Sequence, residues 1–95
     1  MHTILGANGP IARELAKELH RRGVGPLRLV SRNPRQINGT DETMPADLRD
    51  AAQTRRAVAG SSVVYFTAGL PPDTAVWETQ FPGMLDNALE ACRAA

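Results

Sequence analysis

The chain passes from a short apolar run, His2-Thr3-Ile4-Leu5, through the turn Gly6-Ala7-Asn8-Gly9 and straight into a proline-led amphipathic stretch, and this junction constrains the fold more than any other feature. The run before the glycines suits a buried first strand. From residue 10 the period changes. Ile11, Leu15 and Leu19 recur every four residues with Ala12 and Ala16 beside them, while Arg13, Glu14, Lys17, Glu18 and Arg21 take the other face. That pattern predicts an amphipathic helix over 10–22, with Ile11, Leu15 and Leu19, and Ala12 and Ala16 beside them, on its apolar face. Pro10 suits the first helical position, where no main-chain N–H is needed. His20, Arg21 and Arg22 suit the negative end of the helix, and Gly23 stops it.

The turn has the form GxxGxxA, Gly6-Ala7-Asn8-Gly9-Pro10-Ile11-Ala12, between a strand and a helix. A glycine at position 6 lets the chain turn sharply out of the strand. A second at position 9 carries no Cβ, so phosphate oxygens can come close to backbone N–H groups. A small residue at position 12 lets helix and strand pack closely. The helix N-terminus supplies unpaired donors and partial positive charge. Together these describe a site for the pyrophosphate of a dinucleotide, because the spacing falls in the strand-turn-helix context that such a site requires. A tight turn with no ligand is the plainer alternative.

Beyond Gly23, the run Leu27–Val30 predicts a second strand, and the polar residues 32–42 a loop. Thr43-Met44-Pro45-Ala46 predicts a weak third strand, placed at an edge by Pro45. Asp50 opens a second helix with Gln53 three residues on, in a capping-box arrangement, and Gly60 closes it. Val63-Val64-Tyr65-Phe66-Thr67 is the strongest strand signal, and its continuous apolar character implies burial on both faces. The last segment predicts a helix whose inner face carries Trp77, Phe81, Leu85, Ala88, Leu89 and Cys92, with Pro82 starting or bending its main body. Strands alternating with helices give an open parallel α/β sheet.

The end of the second strand bears on cofactor choice. An NAD site commonly places an acid there, bonded to the ribose 2′-OH. No Asp or Glu occurs between Glu18 and Asp41; Ser31 and Arg32 follow the strand instead, with Arg35 close behind. Guanidinium groups fork onto a phosphate, so NADP(H) is expected over NAD(H). An ordinary exposed loop arginine is the alternative for Arg32.

These residues resemble the N-terminal part of the extended or atypical short-chain dehydrogenases/reductases, the NAD-dependent epimerase/dehydratase family. GANGPIA is similar to that family's glycine motif, usually written with Thr where Asn8 stands. Ser31-Arg32 resembles its NADP-type second-strand end. Ala46-Asp47-Leu48-Arg49-Asp50 resembles its step after the third strand, where the resemblance implies that Asp47 and Leu48 contact adenine; a helix-capping role for Asp47 remains open. Val63–Gly69 resembles the fourth strand and a small-residue loop, so Thr67, Ala68 and Gly69 are implied to line the cofactor. The family's Rossmann-type sheet has strand order 3-2-1-4, which leaves the fourth strand at an edge if nothing follows it.

The departure from that family concerns chemistry. Its members transfer hydride with a Tyr-x-x-x-Lys pair, in which the lysine lowers the tyrosine pKa. The single tyrosine here, Tyr65, lies inside the fourth strand, with Gly69 four residues later, and the only lysine is Lys17. Tyr65 is therefore expected to serve the sheet, and no catalytic residue is assigned. Residues 1–95 are expected to form the N-terminal portion of a dinucleotide-binding domain, inactive alone. A non-catalytic NADP-sensing module and a cofactor-free structural module are the other readings. Net charge of +1 gives no case for nucleic acid, no run is long enough to span a membrane, and neither His2 nor His20 has a companion at metal-ligand spacing. The one cysteine, Cys92, expected to pack as a small hydrophobe, excludes an intrachain disulfide and suits a reducing cytoplasm. An apolar fourth strand left at an edge predicts self-association.

Overall fold

The computed structural model describes residues 1–7, 9–67 and 74–94, with side chains left undescribed at 74–82 and 94. Seven elements follow one another: β1 (His2–Leu5), α1 (Pro10–Arg21), β2 (Leu27–Ser31), β3 (Glu42–Pro45), α2 (Ala51–Val58), β4 (Val63–Phe66) and α3 (Thr74–Ala94). The four strands form one sheet in the order β3-β2-β1-β4. Every pairing is parallel. This is the open α/β sheet with the strand order expected.

Alternation along the strands sorts the core into two layers, because successive side chains point to opposite faces. Ile4, Leu27 and Leu29 meet Ala7, Ala12 and Ala16 on the α1 side. Leu5 and Val30 meet Ala57 and Val58 of α2 and Met84, Ala88 and Ala91 of α3 on the other. Each large aliphatic side chain so buried contributes about 1.5–3 kcal/mol relative to exposure.

Two helix faces differ from expectation. On α1 the buried residues are Ala12 and Ala16, Leu15 and Leu19 pack at the margin, and Ile11 is 74% exposed. On α3 the inner face is Met84, Ala88 and Ala91, whereas Leu89 is 48% exposed and Cys92 is also exposed. The physical reason is the same in both helices: where a helix lies closest to the sheet, as at Ala12, Ala16, Ala88 and Ala91, small side chains fit, and larger ones such as Ile11 and Leu89 are pushed to its flanks. The expected positions of Trp77 and Phe81 concern side chains outside the described residues. α3 begins at Thr74, eight residues before Pro82; a proline removes one main-chain bond but leaves the turns on either side able to form.

β4 is not buried on both faces. Val63 is 38% exposed and Val64, Tyr65 and Phe66 are half-buried, since β4 pairs only with β1 among the described residues. β3 occupies the other edge, as Pro45 requires. α1 closes as expected, with Gly23 at φ 79° and Val24 N–H donating to Leu19 O at 2.9 Å. α2 is capped by Asp50, whose carboxylate accepts from Gln53 N–H at 3.0 Å. The capping box is only half made, because Gln53 Oε1 accepts from Asp47 N–H at 2.9 Å instead of from Asp50.

Candidate functional site

Strand register places the candidate residues along one rim. Leu5 is aligned with Val30 on one side and with Phe66 on the other, and Ser31 with Pro45. The residues that follow these positions, Gly6, Arg32, Asp47 and Thr67, therefore leave the sheet at its C-terminal end, where open α/β sheets take ligands.

The glycine turn is fixed from both flanks. Gly6 N–H and Ala7 N–H both donate to Val30 O, at 2.8 and 3.0 Å. From β4, Thr67 N–H and Thr67 Oγ1 both donate to Leu5 O at 2.9 Å, and the hydroxyl also lies 3.4 Å from Gly6 O. Gly6 has φ 82°, so the turn needs glycine there. Gly9 does not need it for its backbone, since its φ is −78°. A Cβ at Gly9 would meet nothing nearer than Gly6 O at 3.9 Å. What a side chain at Gly9 would obstruct is thus the space outside the turn, the space an anion would use.

A diphosphate site on this turn would draw its amides from residues 6–12, and the structure narrows that set. The Gly6 and Ala7 amides are spent on Val30, and Gly9 N–H reaches Gly6 O at 3.5 Å. Gly9 caps α1 with no side chain to offer, Pro10 has no N–H, and the first helical bond runs from Arg13 N–H to Gly9 O at 3.1 Å. The Ile11 and Ala12 amides are left without an acceptor among the described residues, at a helix end with no acid in its first turn. Such an end binds anions. The site therefore fits a pyrophosphate. Asn8 lies outside the described residues.

At the ends of β2 and β3 the fit is of a different kind. The Ser31 hydroxyl oxygen is buried with no hydrogen-bond partner among the described residues, an orphan at the rim; such groups are uncommon unless a ligand or water satisfies them. Arg32 and Arg35 are exposed. Asp47 is held by Arg49. Its Oδ1 accepts from Arg49 N–H at 2.9 Å and Arg49 Nε at 3.0 Å, and its Oδ2 from Arg49 Nη2 at 2.8 Å. These bonds, with a smaller contribution from the charge of Arg32, hold the Asp47 carboxyl down at about 2. Asp47 does not cap α2; Asp50 does. Leu48 is 5% exposed, its side chain in the core and its carbonyl accepting from Asn87 Nδ2 at 2.9 Å. Ala68 and Gly69 lie outside the described residues.

Three contributors were missed in the sequence: the Thr67 hydroxyl as a brace for the turn, Arg49 as the partner of Asp47, and Gln53 as an acceptor for the Asp47 amide. Only the Asp47-x-Arg49 spacing offered a signal, because the other two depend on which loops the sheet brings together. Tyr65 stands apart from the rim, its hydroxyl 3.1 Å from His2 Nδ1 and its ring against the α1-side core. Among the described residues no helix is long and apolar enough to cross a membrane.

Residues 6–95 match the profile of a family described as NAD(P)H-binding. Among solved structures, uronate dehydrogenase from Agrobacterium tumefaciens superposes with a TM-score of 0.77 and 27% identity, over 98% of this chain and 36% of the dehydrogenase. A variant of that dehydrogenase complexed with NAD superposes equally well, with a TM-score of 0.77. A Burkholderia pseudomallei protein thought to be exported is 31% identical, with a TM-score of 0.70 over 95% of this chain and 42% of its own. A UDP-glucose 4-epimerase, at 19% identity and a TM-score of 0.79 over 98% of this chain and 32% of its own, shares the fold. The chain thus spans about a third to two fifths of the length of these structures. No curated protein matched the sequence.

Proposed function

The chain belongs to the NAD(P)H-binding family, and from that premise we propose that it holds a dinucleotide across the rim of its sheet, with NADP(H) preferred to NAD(H). The observation that carries this reading is the N-terminus of α1, where the Ile11 and Ala12 amides have no acceptor among the described residues and Gly9 leaves the approach clear. Those amides would hold the pyrophosphate, with Gly6, Asn8 and Pro10 shaping the turn around it. Arg32 and Arg35 would take the 2′-phosphate, and the Ser31 hydroxyl would find its missing partner there. Asp47 and Leu48 would border the adenine, and Thr67, Ala68 and Gly69 would line the cofactor beside β4. When bound, the nicotinamide supplies a hydride donor or acceptor; the residues of this chain bind and orient it.

In this reading the chain is the cofactor-binding half of an oxidoreductase or epimerase, without the Tyr-x-x-x-Lys pair, and is inactive by itself. A non-catalytic sensing or structural module is the second reading. It is favoured by one observation: the sole tyrosine is engaged with His2 in the sheet, away from the rim. We place the protein in the cytoplasm, where its single cysteine stays reduced, and expect copies to associate through the open side of β4.

Titration with NADPH and NADH, followed by calorimetry, tests the function. Tighter binding of NADPH is expected. Equal affinities would defeat the NADP preference, and no heat with either at millimolar concentration would defeat dinucleotide binding altogether.

A further inference from the structure

The rim next to β2 and β3 carries charge of both signs, from Arg32, Asp47 and Arg49. Asp47 follows β3 and Arg32 follows β2, on strands whose ends are aligned by the Ser31–Pro45 register. The Arg32 charge reaches the Asp47 carboxyl and helps to hold it ionised. Left to itself, that carboxylate would stand as a bare negative charge on the same rim as Arg32, where the NADP(H) reading puts the 2′-phosphate. It is not left to itself. Arg49 reaches back two residues and forks onto both carboxylate oxygens, while its own N–H bonds the same acid. Gln53 fixes the backbone of Asp47 from the other side. Arg32 has no ion-pair partner among the described residues.

From this geometry we infer that Arg49 determines the cofactor preference of the site: by occupying Asp47 it removes an acid that would oppose a 2′-phosphate, and it leaves Arg32 free to receive one. Arg49 is a positioning residue, acting through Asp47 and touching no cofactor. The inference rests on the NADP(H) reading proposed above and adds its cause. A forked guanidinium neutralises a carboxylate and fixes its orientation at once. An exposed pair of this kind carries little folding stability, so its effect lies in the local field.

The test measures the ratio of NADH to NADPH dissociation constants by fluorescence titration of the full chain at low salt. In R49Q the freed Asp47 faces the 2′-phosphate, and the ratio is expected to fall about fivefold, almost wholly through weaker NADPH binding. R49K keeps the charge and should hold the ratio near that of the wild type. The double variant D47N/R49Q removes the acid together with its partner and should restore the ratio. D47N alone should keep or raise it, independently of whether R49Q folds well. If the wild type prefers NADPH and R49Q keeps that preference, the role of Arg49 is wrong and the cofactor assignment stands. A fall of the ratio in D47N overturns the inference as well. Equal binding of both cofactors by the wild type, or binding of neither, removes the premise and the inference together.

Discussion

Thr67 and Leu5 are joined twice, the Thr67 amide and the Thr67 hydroxyl both donating to the Leu5 carbonyl at 2.9 Å. The second bond is a side-chain bond, and it sets the last residue of β1 against the residue after β4, next to the glycine turn. Thr67→Val keeps the shape and the amide bond but loses the hydroxyl. The expected loss is about 0.5–1.5 kcal/mol of stability, measured by urea denaturation, together with weaker dinucleotide binding as the Gly6 turn loosens. Thr67→Ser should recover both.

The two glycines of the turn should respond oppositely. Gly6 has φ 82°, and an alanine there pays a left-handed strain of about 1–2 kcal/mol. Gly9 has an ordinary φ of −78° and room for a Cβ. Gly9→Ala loses some helix-capping preference but gains from a stiffer unfolded chain, so its stability should stay within about 1 kcal/mol of wild type. Its cofactor affinity should nonetheless fall about tenfold or more, since the added methyl projects where phosphate approaches. Thermal melts alongside NADPH titration separate the two effects; a Gly9→Ala protein that binds as wild type would remove the reason for glycine at that position.

Asp47 gives the protein a pH dependence with a definite sign. Its carboxyl is lowered from the usual 3.8 to about 2, chiefly by the side-chain bonds from Arg49. A depressed folded value means stabilisation that is whole above the unfolded value and is lost as pH falls from 3.8 through about 2. Asp47→Asn lacks that component. Urea titrations of wild type and variant from about pH 6 down to about pH 3 should show the wild-type advantage shrinking on acidification. Because Arg49 is partly solvated, added salt should shrink it too.

How much of this was legible beforehand depended on which interaction decided each feature. The glycine turn and Pro10 could be read because their constraints are local: a positive φ and a missing N–H. The strand order followed from the resemblance of several short segments taken in sequence. The inner faces of α1 and α3 were read only in part, for a common reason. Both helices carry two neighbouring stripes, one of alanines and one of larger apolar residues, and hydrophobicity alone does not say which of the two lies against the sheet. Ala12, Ala16, Ala88 and Ala91 are buried while Ile11 and Leu89 are exposed, because distance of approach to the sheet decides. The Thr67 brace and the Gln53 bond to the Asp47 amide were hidden because each depends on which loops the sheet brings together, which no periodicity encodes.

The exposed side of β4 yields the last prediction. Val63 is 38% exposed, and its strand pairs only with β1 among the described residues. A short apolar strand with one side open offers unpaired main-chain groups to another copy. Sedimentation of the wild type should therefore show association that grows with concentration. Val63→Lys places a charge on that edge at a position already near solvent, so folding stability should change by no more than about 0.5 kcal/mol. Association should weaken sharply, because pairing a second copy would bury an ammonium group. An unchanged sedimentation profile in the lysine variant would locate the contact elsewhere, with the outward Leu89 face of α3 the next surface to substitute. A wild type that stays monomeric at every concentration would mean that the open edge is sufficiently protected by its short length, four residues from Val63 to Phe66.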